Sequence, residues 1–101
     1  MTSKSDYKAL LRRTHDLTPA QRLVVMLYAL SDSDRGGVVR ETGQDLAEQL
    51  GMTPTVFSRI RKQLVEAGWL EQSEKFAHIT YFRLSPQALG EQTVVPMRRA
   101  I

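Results

Sequence analysis

The sequence contains no cysteine, which excludes disulfide staples, thiolate-bound metals and thiol redox switching. It has only two histidines, His15 and His78, and they fall on separate predicted elements. Neither stands beside a set of carboxylates, so no metal site and no nucleophile–base pair takes shape. No glycine-rich phosphate loop follows a strand, because Gly36-Gly37 reads as a turn and nothing more. These absences argue against an enzyme and imply no cofactor and no metal. The longest apolar run, Leu23 to Leu30, is far short of the roughly 20 residues needed to span a bilayer. The first six residues carry no apolar signal core behind their charges. No membrane partner is expected, and a cytoplasmic location is.

What remains is an ordinary composition for one compact domain, 42% hydrophobic and 25% charged over 101 residues. Fourteen lysines and arginines against eleven aspartates and glutamates give a formal net charge of +3. A lean of this size permits a polyanionic partner without demanding one.

The hydrophobic pattern divides the chain into short elements. Tyr7, Leu10 and Leu11 fall at helical spacing and predict a first amphipathic helix from Asp6 to Arg13. Thr18-Pro19 is a helix start, a hydroxyl N-cap followed by proline at the first position. The helix that follows, to about Ser31, is apolar on nearly all sides and is expected to be a central core helix covered on nearly all sides. Turn residues 32–37 end it, and Val38 to Glu41 predict one short strand. Thr42 caps a helix from Gln44 to Leu50 that stops at Gly51. Thr53-Pro54 repeats the earlier start signal for a longer helix to Ala67, stopped by Gly68. Trp69 to Ser73 and Ile79 to Leu84 are rich in aromatic and β-branched residues and predict a β-hairpin, with Glu74 to His78 as its connection. Ser85-Pro86 opens a brief helical turn. The fold class expected is mainly α with a small β-hairpin, in the order helix, helix, strand, helix, helix, hairpin. Three segments are expected: 1–17 as an N-terminal helix and dimerisation arm, 18–85 as the main domain, and 86–101 as a turn and tail.

Two helices joined by a tight turn can cross steeply if the crossing residue is small, the turn holds a glycine and apolar residues recur at fixed offsets. The segment from Gln44 to Ile60 supplies each requirement: Ala47 at the crossing, Gly51 in the turn, and Leu46, Leu50, Met52, Phe57 and Ile60 as the buried set. In these residues the chain resembles the winged helix-turn-helix superfamily over about Thr18 to Ser85. The phrases Leu46-Ala-Glu-Gln-Leu-Gly-Met-Thr53, Phe57-Ser-Arg59 and Leu64-Val-Glu-Ala-Gly-Trp-Leu70 look like those of MarR-like regulators. The loop from Ser31 to Gly37 is similar to winged-helix modules of plasmid and phage replication proteins. The resemblance implies a double-stranded DNA partner and nucleoid association when DNA is bound.

Helical geometry then selects a face. With Phe57, Ile60 and Leu64 inward, a 100° step places Thr55, Arg59, Lys62 and Glu66 on the opposite side. Arginine binds guanine O6 and N7 bidentately, lysine binds phosphate, and hydroxyls bind either. Thr53 and Thr55 stand at the helix N-terminus, where amides favour a phosphate, and Ser58 lies on the flank. Arg61 lies nearer the buried side, either snorkelling outward to the DNA backbone or pairing with an acid inside the fold. The hairpin is the candidate wing, with Lys75 and His78 near its tip and Arg83 on its return strand as contacts to phosphate or minor groove. Glu71 and Glu74 oppose such contact. For any one of these cations the plain alternative is a solvated surface. Phe76 at the tip is either a wedge or a residue folded back on its own hairpin. Tyr7, Leu10 and Leu11, with Val94, Val95 and Met97, have little local core to join and are assigned to a homodimer contact. Arg12, Arg13, Arg98 and Arg99 flank the domain as basic pairs.

The function expected is a sequence-specific transcriptional regulator, a homodimeric repressor on a palindromic site. The alternatives are a DNA-binding component of plasmid or phage replication or partition, and a winged-helix protein-interaction module. A small-molecule effector would need Trp69, Tyr28 or Tyr81 to line a cavity, and core packing accounts for each more simply.

Overall fold

Three threonines determine where helices begin. In the computed structural model, which describes residues 4–34 and 36–90, Thr18, Thr42 and Thr53 each adopt an extended conformation just before a helix. Each hydroxyl accepts a hydrogen bond from the backbone N–H three residues on, Gln21 at 3.1 Å, Asp45 at 3.1 Å and Val56 at 3.2 Å. Gln21 returns the favour at the first of these, its Oε1 accepting from the Thr18 N–H at 3.0 Å, which completes a capping box. A cap of this kind contributes about 1 kcal/mol by satisfying a donor that the helix itself cannot.

The elements are α1 (Lys4–Arg13), α2 (Pro19–Leu30), α3 (Gly43–Gln49), α4 (Pro54–Glu66), β1 (Leu70–Phe76) and β2 (Ile79–Leu84). Between α2 and α3 the expected strand contracts to Val39, which bridges Ser33 on one side and Phe82 on the other. Its N–H donates to the Phe82 carbonyl at 3.1 Å, so it forms a minimal third strand on the edge of the hairpin. The chain is therefore a mainly α winged helix-turn-helix with a small antiparallel sheet.

The core gathers one face from all four helices, from β1 and from the bridge residue Val39, with Phe82 and Leu84 of β2 partly buried against it. Leu10 of α1, Val24, Val25 and Tyr28 of α2, Leu46 and Ala47 of α3, Phe57, Ile60 and Leu64 of α4, and Val39 and Leu70 of the sheet form one buried cluster. Leu10 thus has a core to join, contrary to the expectation that placed it in a subunit contact. Leu11, one step around the helix, is exposed. Coverage of α2 also differs from expectation. Only Val24, Val25 and Tyr28 are buried, while Leu23 and Leu30 are 51% and 61% exposed. These two leucines are seven residues apart, hence on one face, and among the described residues no element is laid over them.

The hairpin is longer than its sequence suggests. β1 continues through Lys75 and Phe76, and only Ala77 and His78 form the turn. The register passes from Gln72 opposite Phe82 to Glu74 opposite Tyr81, so Ser73 is the extra residue of a bulge. Residues Val94, Val95, Met97, Arg98 and Arg99, assigned above to a subunit contact or flanking patch, lie outside the described residues.

Candidate nucleic-acid interface

The turn between α3 and α4 is built from hydrogen bonds that only a left-handed residue permits. Gly51 has φ of 70°; its N–H donates to Glu48 O at 3.1 Å, and the Met52 N–H reaches Ala47 O at 2.9 Å. This is a Schellman ending. It turns the chain at once into Thr53 and α4, whose far end stops in the same way. There Gly68, with φ of 88°, donates to Val65 O at 3.1 Å, and the Trp69 N–H donates to Leu64 O at 2.9 Å.

Between these stops α4 is held by Phe57, Ile60 and Leu64, all buried, with Ala47 fully buried at the crossing. The opposite face carries Thr55, Ser58, Arg59, Lys62 and Glu66, all exposed. Among the described residues no hydrogen bond or ion pair occupies the Arg59 guanidinium or the Lys62 ammonium. Two cations and two hydroxyls therefore face solvent from a rigid helix, a donor set suited to phosphates and to purine edges.

The remaining sequence-selected residues separate into two groups. Lys75 and His78 are exposed at the hairpin tip, next to Phe76, which is 70% exposed and is not folded back on the strands. Thr53, Arg61 and Arg83 have partners within the fold. The Thr53 hydroxyl caps α4. Arg83 donates through Nε to Glu71 at 3.1 Å and through Nη1 to Gly36 O at 3.1 Å, tying the hairpin to the loop after α2. Arg61 is directed inward, its guanidinium 4.1 Å from the centroid of the Phe82 ring and 5.2 Å from that of Phe57, and it donates to the Tyr28 hydroxyl at 3.4 Å. Burial pushes the Tyr28 phenol above its ordinary pKa, and the Arg61 hydrogen bond and charge oppose that rise.

Sequence inspection did not single out Arg40 or Asp34. The Asp34 carboxylate accepts from the N–H groups of Gly36 at 2.9 Å and Val38 at 3.0 Å, and from Arg40 Nη2 at 2.8 Å. The Val38 N–H, then Arg40, holds its pKa below the usual carboxylate range. Arg40 in turn lies 5.1 Å from the Tyr81 ring centroid, which places a cation beside the wing. An Asp followed by glycines announces a turn, but nothing in the local pattern brings Tyr81 to it.

A cleft of about 570 Å³ opens between α1, the loop after α2 and the hairpin, with Tyr7, Leu10, Arg13, Tyr28 and Leu89 in its wall. Tyr28 contributes to it; Trp69 and Tyr81 do not. Among the described residues there is no cluster of three or more metal-ligating side chains, and no helix is long and apolar enough to cross a membrane.

Residues 21–90 match the Crp-like helix-turn-helix domain. No curated protein and no solved structure is found to match the chain. The family match runs from the first turn of α2, through the crossing of α3 and α4, to the turn after the wing, and it covers more than half of the sequence. Its span coincides with the elements that build and hold the exposed face of α4, and on that ground the chain belongs to the Crp-like helix-turn-helix domain family of DNA-binding proteins.

Proposed function

We propose that this protein is a sequence-specific transcriptional regulator, without catalysis of its own, that lays α4 in the major groove of duplex DNA. The observation that carries the proposal is the exposed and unpartnered pair Arg59 and Lys62, flanked by Thr55 and Ser58, on a helix whose other face is locked into the core. Lys75 and His78 at the hairpin tip supply phosphate or minor-groove contacts from the wing. The Thr53 cap contributes by orienting the helix N-terminus toward a phosphate.

The finer reading is a homodimeric repressor of MarR-like habit on a palindromic operator. Exposed Leu11, Leu23 and Leu30 support self-association, since apolar side chains left in solvent on adjacent helices favour a partner. Two copies would present their recognition helices about one DNA turn apart, roughly 34 Å.

Selection of bound duplexes from a random library, followed by titration of the winner across salt concentrations, tests both readings. Enrichment of two inverted half-sites about one turn apart is the expected result, and no binding at low salt would sink the proposal. On the selected duplex, Arg59→Ala is expected to reduce discrimination against random DNA by about 1–3 kcal/mol. Lys62→Ala is expected to weaken binding to all sequences alike and to lower the slope of log affinity against log salt by about one.

A further inference from the structure

Arg61 belongs to the recognition helix, yet its guanidinium joins four elements of the fold. It stacks on Phe82 of β2 and Phe57 of α4 and donates to Tyr28 of α2. On its remaining side stands Gly43, the first residue of α3, where an added Cβ would come within 3.2 Å of Nη1 and 3.3 Å of Nη2. Gly43 is not a left-handed residue, so its backbone does not require glycine; a Cβ there would sit tight against the guanidinium, which would have to give by a few tenths of an ångström. A planar cation fits a slot between ring faces where the compact ammonium of lysine stacks poorly. The ring nearest to it, Phe82, also supplies the carbonyl that binds Val39, so one of the attachments of the hairpin to the rest of the fold passes through this residue.

We propose that Arg61 is a positioning residue whose guanidinium, seated against Gly43, fixes the angle between the recognition helix and the wing so that both engage one duplex. The proposal rests on the DNA-binding reading given above and adds to it a determinant that does not touch DNA.

The test compares Gly43→Ala, Arg61→Met and Arg61→Lys on the duplex selected by the wild type, at a temperature where circular dichroism shows each variant fully folded. Gly43→Ala leaves every DNA-facing side chain in place and displaces only the guanidinium. Each variant is expected to bind about tenfold more weakly, the scale of one buried cation–π contact, with the wild-type salt slope retained. The double variant Gly43→Ala/Arg61→Met is expected to be no worse than Arg61→Met alone. Wild-type affinity in Gly43→Ala would overturn the proposal. So would a salt slope lowered by about one in Arg61→Met with Arg61→Lys unaffected, which would mark a phosphate contact. A lowered melting temperature with unchanged affinity would reduce Arg61 to a stabilising role and overturn it as well. A DNA-free arm separates this proposal from the one beneath it. Amide hydrogen exchange at Val39 is expected to quicken in Gly43→Ala and Arg61→Met while exchange in α4 stays slow. Should the wild type bind no duplex, the DNA-binding reading fails, and unchanged exchange at Val39 would then dismiss the clamp independently.

Discussion

Ala77 turns the hairpin with φ of 58°, a left-handed conformation that costs an L-residue about 1–2 kcal/mol. Ala77→Gly is expected to stabilise the protein by about 0.5–1 kcal/mol, the relief of strain less the extra freedom gained by the unfolded chain, seen as a higher denaturant midpoint. The same residue explains why the length of β1 was not legible: a two-residue turn usually advertises itself with Asn-Gly or Gly, and Ala77-His78 gives no such sign. Two titrating groups act in opposite directions. The Tyr28 pKa is raised in the fold, chiefly by burial, so its stabilising contribution is complete below the unfolded phenol pKa and is lost as pH rises through the folded value. Urea titrations in alkali are expected to show this loss in the wild type and its absence in Tyr28→Phe. Asp34 is depressed, first by the Val38 N–H. Its contribution is present above the ordinary carboxylate range and disappears as pH falls through the lowered value, so Asp34→Asn is expected to have a flatter acid limb.

At the scale of elements, α4 was legible because three kinds of signal agree on it. Thr53-Pro54 starts it, Phe57, Ile60 and Leu64 give its buried side, and Gly68 ends it. The outward placement of Thr55, Arg59 and Lys62 follows from that period alone. The inward seat of Arg61 was only half legible, since the helical step puts it nearer the buried side but suggests an acid as partner, while Phe82 and Tyr28 arrive from elements that no local pattern connects to it. α2 misled for a different reason. A run of apolar residues states what ought to be covered and is silent on how many neighbours exist to cover it. The two sides of the contrast are measurable. Phe57→Ala, at a fully buried site, is expected to cost about 3–5 kcal/mol. Leu23→Lys with Leu30→Lys is expected to change monomer stability by no more than about 0.5 kcal/mol per site. If the homodimer uses this face, the double lysine variant sediments as a monomer where the wild type does not.

For the whole molecule, the excess of basic over acidic residues is small, so attraction to DNA depends on where the cations stand more than on how many there are. The division at residue 17 expected from sequence reflects the Thr18-Pro19 signal. Nevertheless Leu10 and Thr14 are buried in the shared interior. Arg22 donates to Leu11 O at 2.9 Å and to Thr14 Oγ1 at 3.1 Å, so α1 is stitched to α2. Removal of residues 1–17 is therefore expected to destabilise the protein by at least the 2–5 kcal/mol typical of emptying one buried leucine site, read as a shift in the thermal midpoint.

One bond has a bearing on how the protein comes into being. Arg13 Nη2 donates to the carbonyl of Ala88, 75 positions along the chain, and Val39 must likewise wait for Phe82. On the ribosome, where a chain emerges N-terminus first, α1 and α2 leave the exit tunnel long before either partner exists. The hairpin and the turn at Ala88 are the parts that close the structure, so the nascent chain keeps these groups unpaired until nearly ninety residues have been made. Its last folding step waits for residue 88 to emerge, and chaperone contact during translation is expected to concentrate on α1 and α2.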